Sequence, residues 1–144
     1  MANLNDLVHQ FFQVSRAMTK DLNHRMAPLQ LTQSQLGIIE YLLIKDGSSS
    51  LVDIAKYLSV EKSSVTRAVK HLEAHDFIER APSEDSRERR IILSSHAQDT
   101  QHDLKQAKKN FEANTFKDIS EEELDVAFQT LLKMLNNING VDSN

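Results

Sequence analysis

Residues 51–93 read LVDIAKYLSVEKSSVTRAVKHLEAHDFIERAPSEDSRERRIIL, and this stretch decides the fold. In its first half, apolar residues recur at steps of three and four, which is the period of a helix that buries one face. The spacing predicts a helix over 51–58 and a second helix over 62–75. Only SVE separates them, and two short helices joined by so short a turn form a helix-turn-helix unit.

The second half of the stretch has a different pattern. FI at 77–78 and IIL at 91–93 are short runs of the β-branched and aromatic residues typical of strands. Between them lies PSEDS at 82–86, which is rich in turn-forming residues. This arrangement predicts a β-hairpin with a long polar tip, placed directly after the helix-turn-helix.

Upstream of this stretch, the sequence predicts two further helices. Apolar residues at helical spacing predict a helix over 4–26, which Pro28 ends. Residues 32–35 read TQSQ, the T-x-x-Q form of a capping box, and they open the next helix. The polar run DGSSS at 46–50 is interpreted as a loop.

Downstream, Ser94 or Ser95 is placed to cap a helix that carries Leu104, Ala107 and Phe111 inward. The SEEE run that begins at Ser120 is another capping box and starts a final apolar helix. The fold class that follows is mainly α with a small β-hairpin.

Composition limits the function classes. The 144 residues carry a net charge of −4, yet residues 51–93 hold equal numbers of basic and acidic side chains, eight each. There is no cysteine, which excludes disulfides and thiol ligands within this chain. No apolar run approaches the ~18 residues that span a bilayer, and MANLNDLVHQ does not resemble a secretory signal. We therefore expect no membrane partner and a cytoplasmic location.

The early residues of the predicted helix over 62–75 are typical of a DNA-reading helix. Arg67 suits the O6 and N7 acceptors of guanine, hydroxyl groups suit phosphates or base edges, and Lys70 suits a phosphate. The alternative is an amphipathic helix whose polar face is only solvated. The candidate DNA contacts on this helix are Lys62, Ser63, Ser64, Thr66, Arg67 and Lys70.

The hairpin supplies a second group of candidates. Its tip and return strand present Asp85, Arg87 and Arg89. Arg87 suits a narrow A·T-rich minor groove, and Asp85 is close enough in sequence to orient it through a charge-assisted hydrogen bond. The alternative is an exposed turn whose charges balance one another.

Taken together, these motifs resemble the MarR family of transcriptional regulators. The family's Val-Thr-Arg is matched at 65–67, its Leu-Glu at 72–73, its Ile-x-Arg strand at 78–80 and its Asp-x-Arg at 85–87. LTQSQLGIIEYL at 31–42 is similar to the family's second helix, so the resemblance covers nearly the whole chain.

The chain departs from the family pattern at three places. Asp76 stands where the family usually has Gly, Glu61 stands where Asp is common, and Ser94-Ser95 begin the segment where a Thr-x-x-Gly is typical. Because Asp accepts positive φ better than most residues, we expect the turn at 76 to survive.

The resemblance implies one MarR-like domain over 1–144. Residues 30–94 would form a winged helix-turn-helix lobe, in which the hairpin is the wing, while 1–29 and 95–144 would be dimerisation helices. It implies a homodimer that binds double-stranded DNA at a palindromic operator, often as a repressor. It also implies release by a small aromatic or anionic effector, for which Arg16 is the candidate partner.

Other classes have less support in the sequence. His71 and His75 have the i,i+4 spacing of metal ligands, but no third ligand is indicated. We therefore expect no metal and no cofactor. With three glycines, no nucleophile motif and no HExxH, the sequence does not indicate an enzyme. The alternative kept open is a winged-helix adaptor that binds proteins without specific DNA binding.

Overall fold

A computed structural model describes residues 1–82 and 87–140, which form two compact units, one comprising Met1–Phe111 and a second beginning at Glu112. The predicted helices and hairpin strands are present. The helices are α1 (Leu4–Met26), α2 (Gln33–Ile44), α3 (Leu51–Leu58), α4 (Lys62–Ala74), α5 (Ser95–Asp99), α6 (Gln101–Thr115) and α7 (Glu121–Asn139), and the strands are β1 (Ser48–Ser50), β2 (Ile78–Arg80) and β3 (Arg90–Leu93).

The capping boxes found in the sequence start the helices as predicted. The amide of Thr32 donates to Oε1 of Gln35 at 2.9 Å, which satisfies a backbone donor at the start of α2. At α7 the bonds are reciprocal: the Ser120 amide donates to Glu123 Oε1 and the Glu123 amide donates to Ser120 Oγ, both at 3.1 Å.

The turn between α3 and α4 is closed by its backbone. Ser59 has a left-handed conformation with φ of 56°. The amide of Val60 then donates to the Ala55 carbonyl at 3.1 Å, which satisfies an acceptor at the end of α3. Glu61, which stands where the family commonly has Asp, is the N-cap of α4 and makes no side-chain capping bond.

Residues 46–47 lie in a turn as predicted, but the interpretation of 48–50 as loop was wrong, because Ser48–Ser50 forms strand β1. It pairs antiparallel with β3, with Ser50 opposite Arg90, and the sheet order is β1-β3-β2. Serine has no strong strand preference, so the local sequence carried no signal. The strand forms because pairing with β3 gives partners to backbone donors and acceptors that would otherwise be buried without them.

The core of the first unit lies between α2, α3, α4 and the sheet. Met26, at the end of α1, belongs to the same buried cluster. The cluster holds α4 against the sheet from one side and leaves its other side accessible. The largest fully buried side chains are Phe77, Met26, Ile38, Ile39, Leu42, Leu51, Ile54, Leu72, Ile91, Val65 and Val69.

The helix expected after Ser94 is divided into two. Ser94 is the N-cap of α5, since its Oγ accepts from the Ala97 amide at 3.1 Å. The division falls at Thr100, whose Oγ1 and amide both lie 3.0 Å from the His96 carbonyl. Leu104 and Phe111, predicted to point inward, are buried in α6.

Asp76 adopts the left-handed conformation predicted from the family's glycine at this turn, with φ of 62°. We expect Asp76→Gly to raise the free energy of unfolding by about 0.5–1 kcal/mol, because glycine removes the steric cost of positive φ but adds entropy to the unfolded chain. Urea unfolding at one protein concentration measures the change. The matched control is Asp103→Gly in α6, which should lose roughly 0.5 kcal/mol. An unchanged or lower stability of Asp76→Gly would contradict the prediction.

Candidate nucleic-acid interface

Helix α4 buries one face and exposes the other. Val65, Val69 and Leu72 lie in the core, each no more than 1% exposed. The side chains predicted to contact DNA lie away from the core: Lys62, Ser63, Arg67 and Lys70 are exposed, and Ser64 and Thr66 are half-buried. The amphipathic spacing of the sequence therefore places all six candidates of this helix on its accessible side.

Two side-chain hydrogen bonds fix the polar face of α4. Oγ1 of Thr66 donates to the Lys62 carbonyl at 3.0 Å, one helical turn back. Nη2 of Arg67 donates to Oγ of Ser64 at 3.4 Å. A guanidinium carries several further N–H donors in a planar fork, so this long bond orients Arg67 without using up its capacity to bind a ligand.

Ser64 and Arg67 also line a cleft of about 470 Å³ between α4 and the start of α2. Gln33 and Ser34, at the N-terminal end of α2, line the same cleft and are exposed. Neither residue is among the DNA contacts predicted from the sequence. The capping box located the start of α2, but only the packing of α2 against α4 shows that this helix end lies beside Arg67.

A second cleft, of about 310 Å³, lies where the wing meets α3 and α4. It brings together Lys62, Arg87 and Arg89, three of the predicted DNA contacts, beside Asp53 and Glu88. Cations from α4 and from the wing therefore lie along one surface, although the chain separates them by more than twenty residues. Asp85, predicted to orient Arg87, lies outside the described residues.

Arg89 is directed differently from the other candidates. Its Nη2 lies 3.5 Å from Oε1 of Glu73, and the two side chains are 35% and 32% exposed. Its carbonyl accepts from the Leu51 amide at 3.1 Å, which ties the base of the wing to the start of α3.

Arg16 lies on the exposed surface of α1, where it lines a groove of about 400 Å³ with Ser15, Thr19, Lys20 and Asn23. Two cations thus face one groove.

The two histidines considered as metal ligands are engaged with each other and with the backbone. The rings of His71 and His75 are 4.2 Å apart between centroids, and His71 Nε2 is 2.8 Å from the Gln30 carbonyl. Within residues 1–82 and 87–140 no group of three potential metal ligands occurs. In the same ranges, no helix has the length and apolar character needed to cross a membrane.

The sequence comparisons agree with this architecture. The model of the MarR family matches residues 29–88, which include α2, α3, α4 and β2. The uncharacterized HTH-type transcriptional regulator YwoH of Bacillus subtilis (strain 168) is 31% identical over 128 residues, and the match covers 89% of this chain and 92% of that protein.

Solved structures share the fold over nearly the whole chain. A mutant MarR from E. coli complexed with operator DNA aligns with a TM-score of 0.81 at 20% identity, covering 93% of this chain and 99% of that one. Reduced AbfR bound to DNA aligns with a TM-score of 0.77 at 21% identity, covering 93% and 92%. Because family members are transcriptional regulators, the prediction that this chain is not an enzyme is confirmed. The chain belongs to the MarR family of transcriptional regulators.

Proposed function

We propose that this regulator binds double-stranded DNA sequence-specifically, as a homodimer on a palindromic operator, and represses transcription there. The observation that carries the proposal is the exposed stripe of Ser63, Arg67 and Lys70 on α4, a helix whose opposite face is fixed in the core. A rigid helix with polar and basic side chains on its accessible side has the dimensions and donors that the major groove accepts.

In the proposed complex, the N-terminal half of α4 enters the major groove. Arg67 donates to guanine O6 and N7, the hydroxyls of Ser63, Ser64 and Thr66 contact base edges or phosphates, and Lys62 and Lys70 contact phosphates. Arg87, oriented by Asp85, enters the adjacent minor groove. The MarR and AbfR structures determined with DNA support this mode, because they have the same fold. A chromosomal operator would place the protein in the cytoplasm.

We predict that Arg67→Ala weakens binding to the operator by about 1–3 kcal/mol and weakens binding to a scrambled duplex much less, because a base contact is lost. Lys70→Ala should instead weaken binding to both duplexes alike and reduce the slope of log affinity against log salt concentration by about 1, because a phosphate contact is lost. Fluorescence anisotropy over a salt series measures both effects. If Arg67→Ala lost the same affinity for both duplexes, a base contact by Arg67 would be excluded.

Homodimerisation is supported by apolar surface on both terminal helices. On α7, Phe128 is 60% exposed and Leu135 is 50% exposed, and on α1 Phe12 is 60% exposed. Large apolar side chains exposed on a helix in this way are unusual on a monomer and mark an interface. A second copy of the chain is the partner we propose, because a two-fold dimer presents two copies of α4 to the two halves of a palindrome.

We predict that Leu135→Asp converts the dimer into a monomer in sedimentation equilibrium at micromolar concentration, since it places a charge within the apolar face of α7. The matched control is Lys133→Asp, which introduces the same acid two residues away, on the other side of the helix. It should remain dimeric. A dimeric Leu135→Asp variant would exclude this part of α7 from the interface.

We further propose that a small aromatic or anionic effector releases the DNA, with Arg16 as the partner of its anionic group. The groove that holds both Arg16 and Lys20 supports an anion rather than a neutral ligand.

We predict that benzoate-class carboxylates displace the wild-type protein from its duplex and that Arg16→Ala requires at least about tenfold more compound, the equivalent of one lost charge-assisted bond. Arg25→Ala is the control, because Arg25 is already paired with Asp21 at 3.0 Å on the same helix. Displacement of both variants at equal concentration would eliminate Arg16 as the anion partner.

A further inference from the structure

Arg89 and Glu73 connect the wing to the recognition helix α4. Glu73 lies in the last turn of α4, and Arg89 immediately precedes β3, the strand that returns from the wing. Nη2 of Arg89 lies 3.5 Å from Oε1 of Glu73, and the side chains are about two-thirds covered. The pair therefore joins two elements that carry the proposed DNA contacts and are distant in sequence.

The guanidinium of Arg89 is turned toward the protein. Its Nε is buried and has no hydrogen-bond partner among the described residues. Nε and Nη2 lie on the same edge of a guanidinium and form the fork that a carboxylate accepts with both oxygens. Glu73 contacts Nη2 of this fork, which makes it the carboxylate placed to accept from the guanidinium.

We propose that Arg89 is a positioning residue, which holds the start of the wing's return strand beside α4 through Glu73. The inference rests on the proposed DNA-binding function. Arg87 is two residues before Arg89, so fixing Arg89 limits how far Arg87 can move relative to Arg67. With the pair intact, the major-groove and minor-groove contacts are presented to the duplex together, and their binding energy is not spent on ordering the wing.

Removing the charge of Glu73 distinguishes a positioning role of Arg89 from a direct DNA contact. The direct contact is the role that the sequence predicts for Arg89. A carboxylate near a DNA-binding surface repels phosphates, so its neutralisation alone should tighten binding. If Glu73 instead holds Arg89 and the wing in place, its neutralisation should weaken binding. The two roles thus predict opposite signs for the same substitution.

The test compares Glu73→Gln, Arg89→Gln and the double variant by anisotropy with the promoter duplex across a salt series. We expect each single variant to lose about 3- to 5-fold in affinity, the size of a partly exposed ion pair. We expect the double variant to be no weaker than either single, because they break the same link. The salt slope of Arg89→Gln should equal that of the wild type. Glu79→Gln on β2 is the matched control for charge and should bind as well as the wild type or more tightly.

Tighter binding by Glu73→Gln, or a salt slope for Arg89→Gln that is smaller by about 1, would overturn the proposal and make Arg89 a phosphate contact.

Amide hydrogen exchange without DNA tests the link separately from the proposed function. The Leu51 amide, which donates to the Arg89 carbonyl, should exchange faster in Glu73→Gln and in Arg89→Gln than in Glu79→Gln. Equal exchange in the three variants would overturn the link even if the protein binds DNA. A wild-type protein that binds no duplex specifically would overturn the proposed function instead.

Discussion

The burial of one face of α4 is the constraint on which the rest of the structure depends. Val65, Val69 and Leu72 are each worth about 1.5–3 kcal/mol when removed from water, and they pack in the same cluster as Ile54 of α3 and Ile91 of β3. Because these contacts fix the rotation of α4 about its own axis, they also decide which residues face outward. The accessible stripe with Arg67 at its centre is the complement of the buried one.

The sheet fixes the position of the wing's return strand, as the core fixes that of α4. Strand β3 lies between β1 and β2, so the return from the wing is held by backbone bonds on both sides. The Leu51–Arg89 bond and the Arg89–Glu73 pair then connect the base of the wing to α3 and α4. The second compact unit differs in exposing apolar side chains on α7, which in the proposed homodimer would contact the second copy of the chain.

Local sequence signals predicted the helices well and the tertiary pairings poorly. Capping boxes at Thr32 and Ser120 and the three-to-four spacing of apolar residues act within one element, so they can be read without knowing the fold. The pairing of Ser48–Ser50 with β3 depends on a strand forty residues later, and three serines give no sign of it. Likewise nothing in the sequence around Arg89, which is predicted as a DNA contact from its place near Arg87, shows that Glu73 lies beside its guanidinium.

Fluorescence anisotropy of the full chain against duplex from its own promoter measures whether the protein binds double-stranded DNA sequence-specifically. A scrambled duplex of equal length is measured beside it over the same salt series. We expect tight binding to the promoter, binding at least about a thousandfold weaker to the scrambled duplex, and a steep fall of affinity with salt. Equal affinity for the two duplexes, followed by failure to select any fragment from the genome, would contradict sequence-specific binding and favour a protein-binding adaptor.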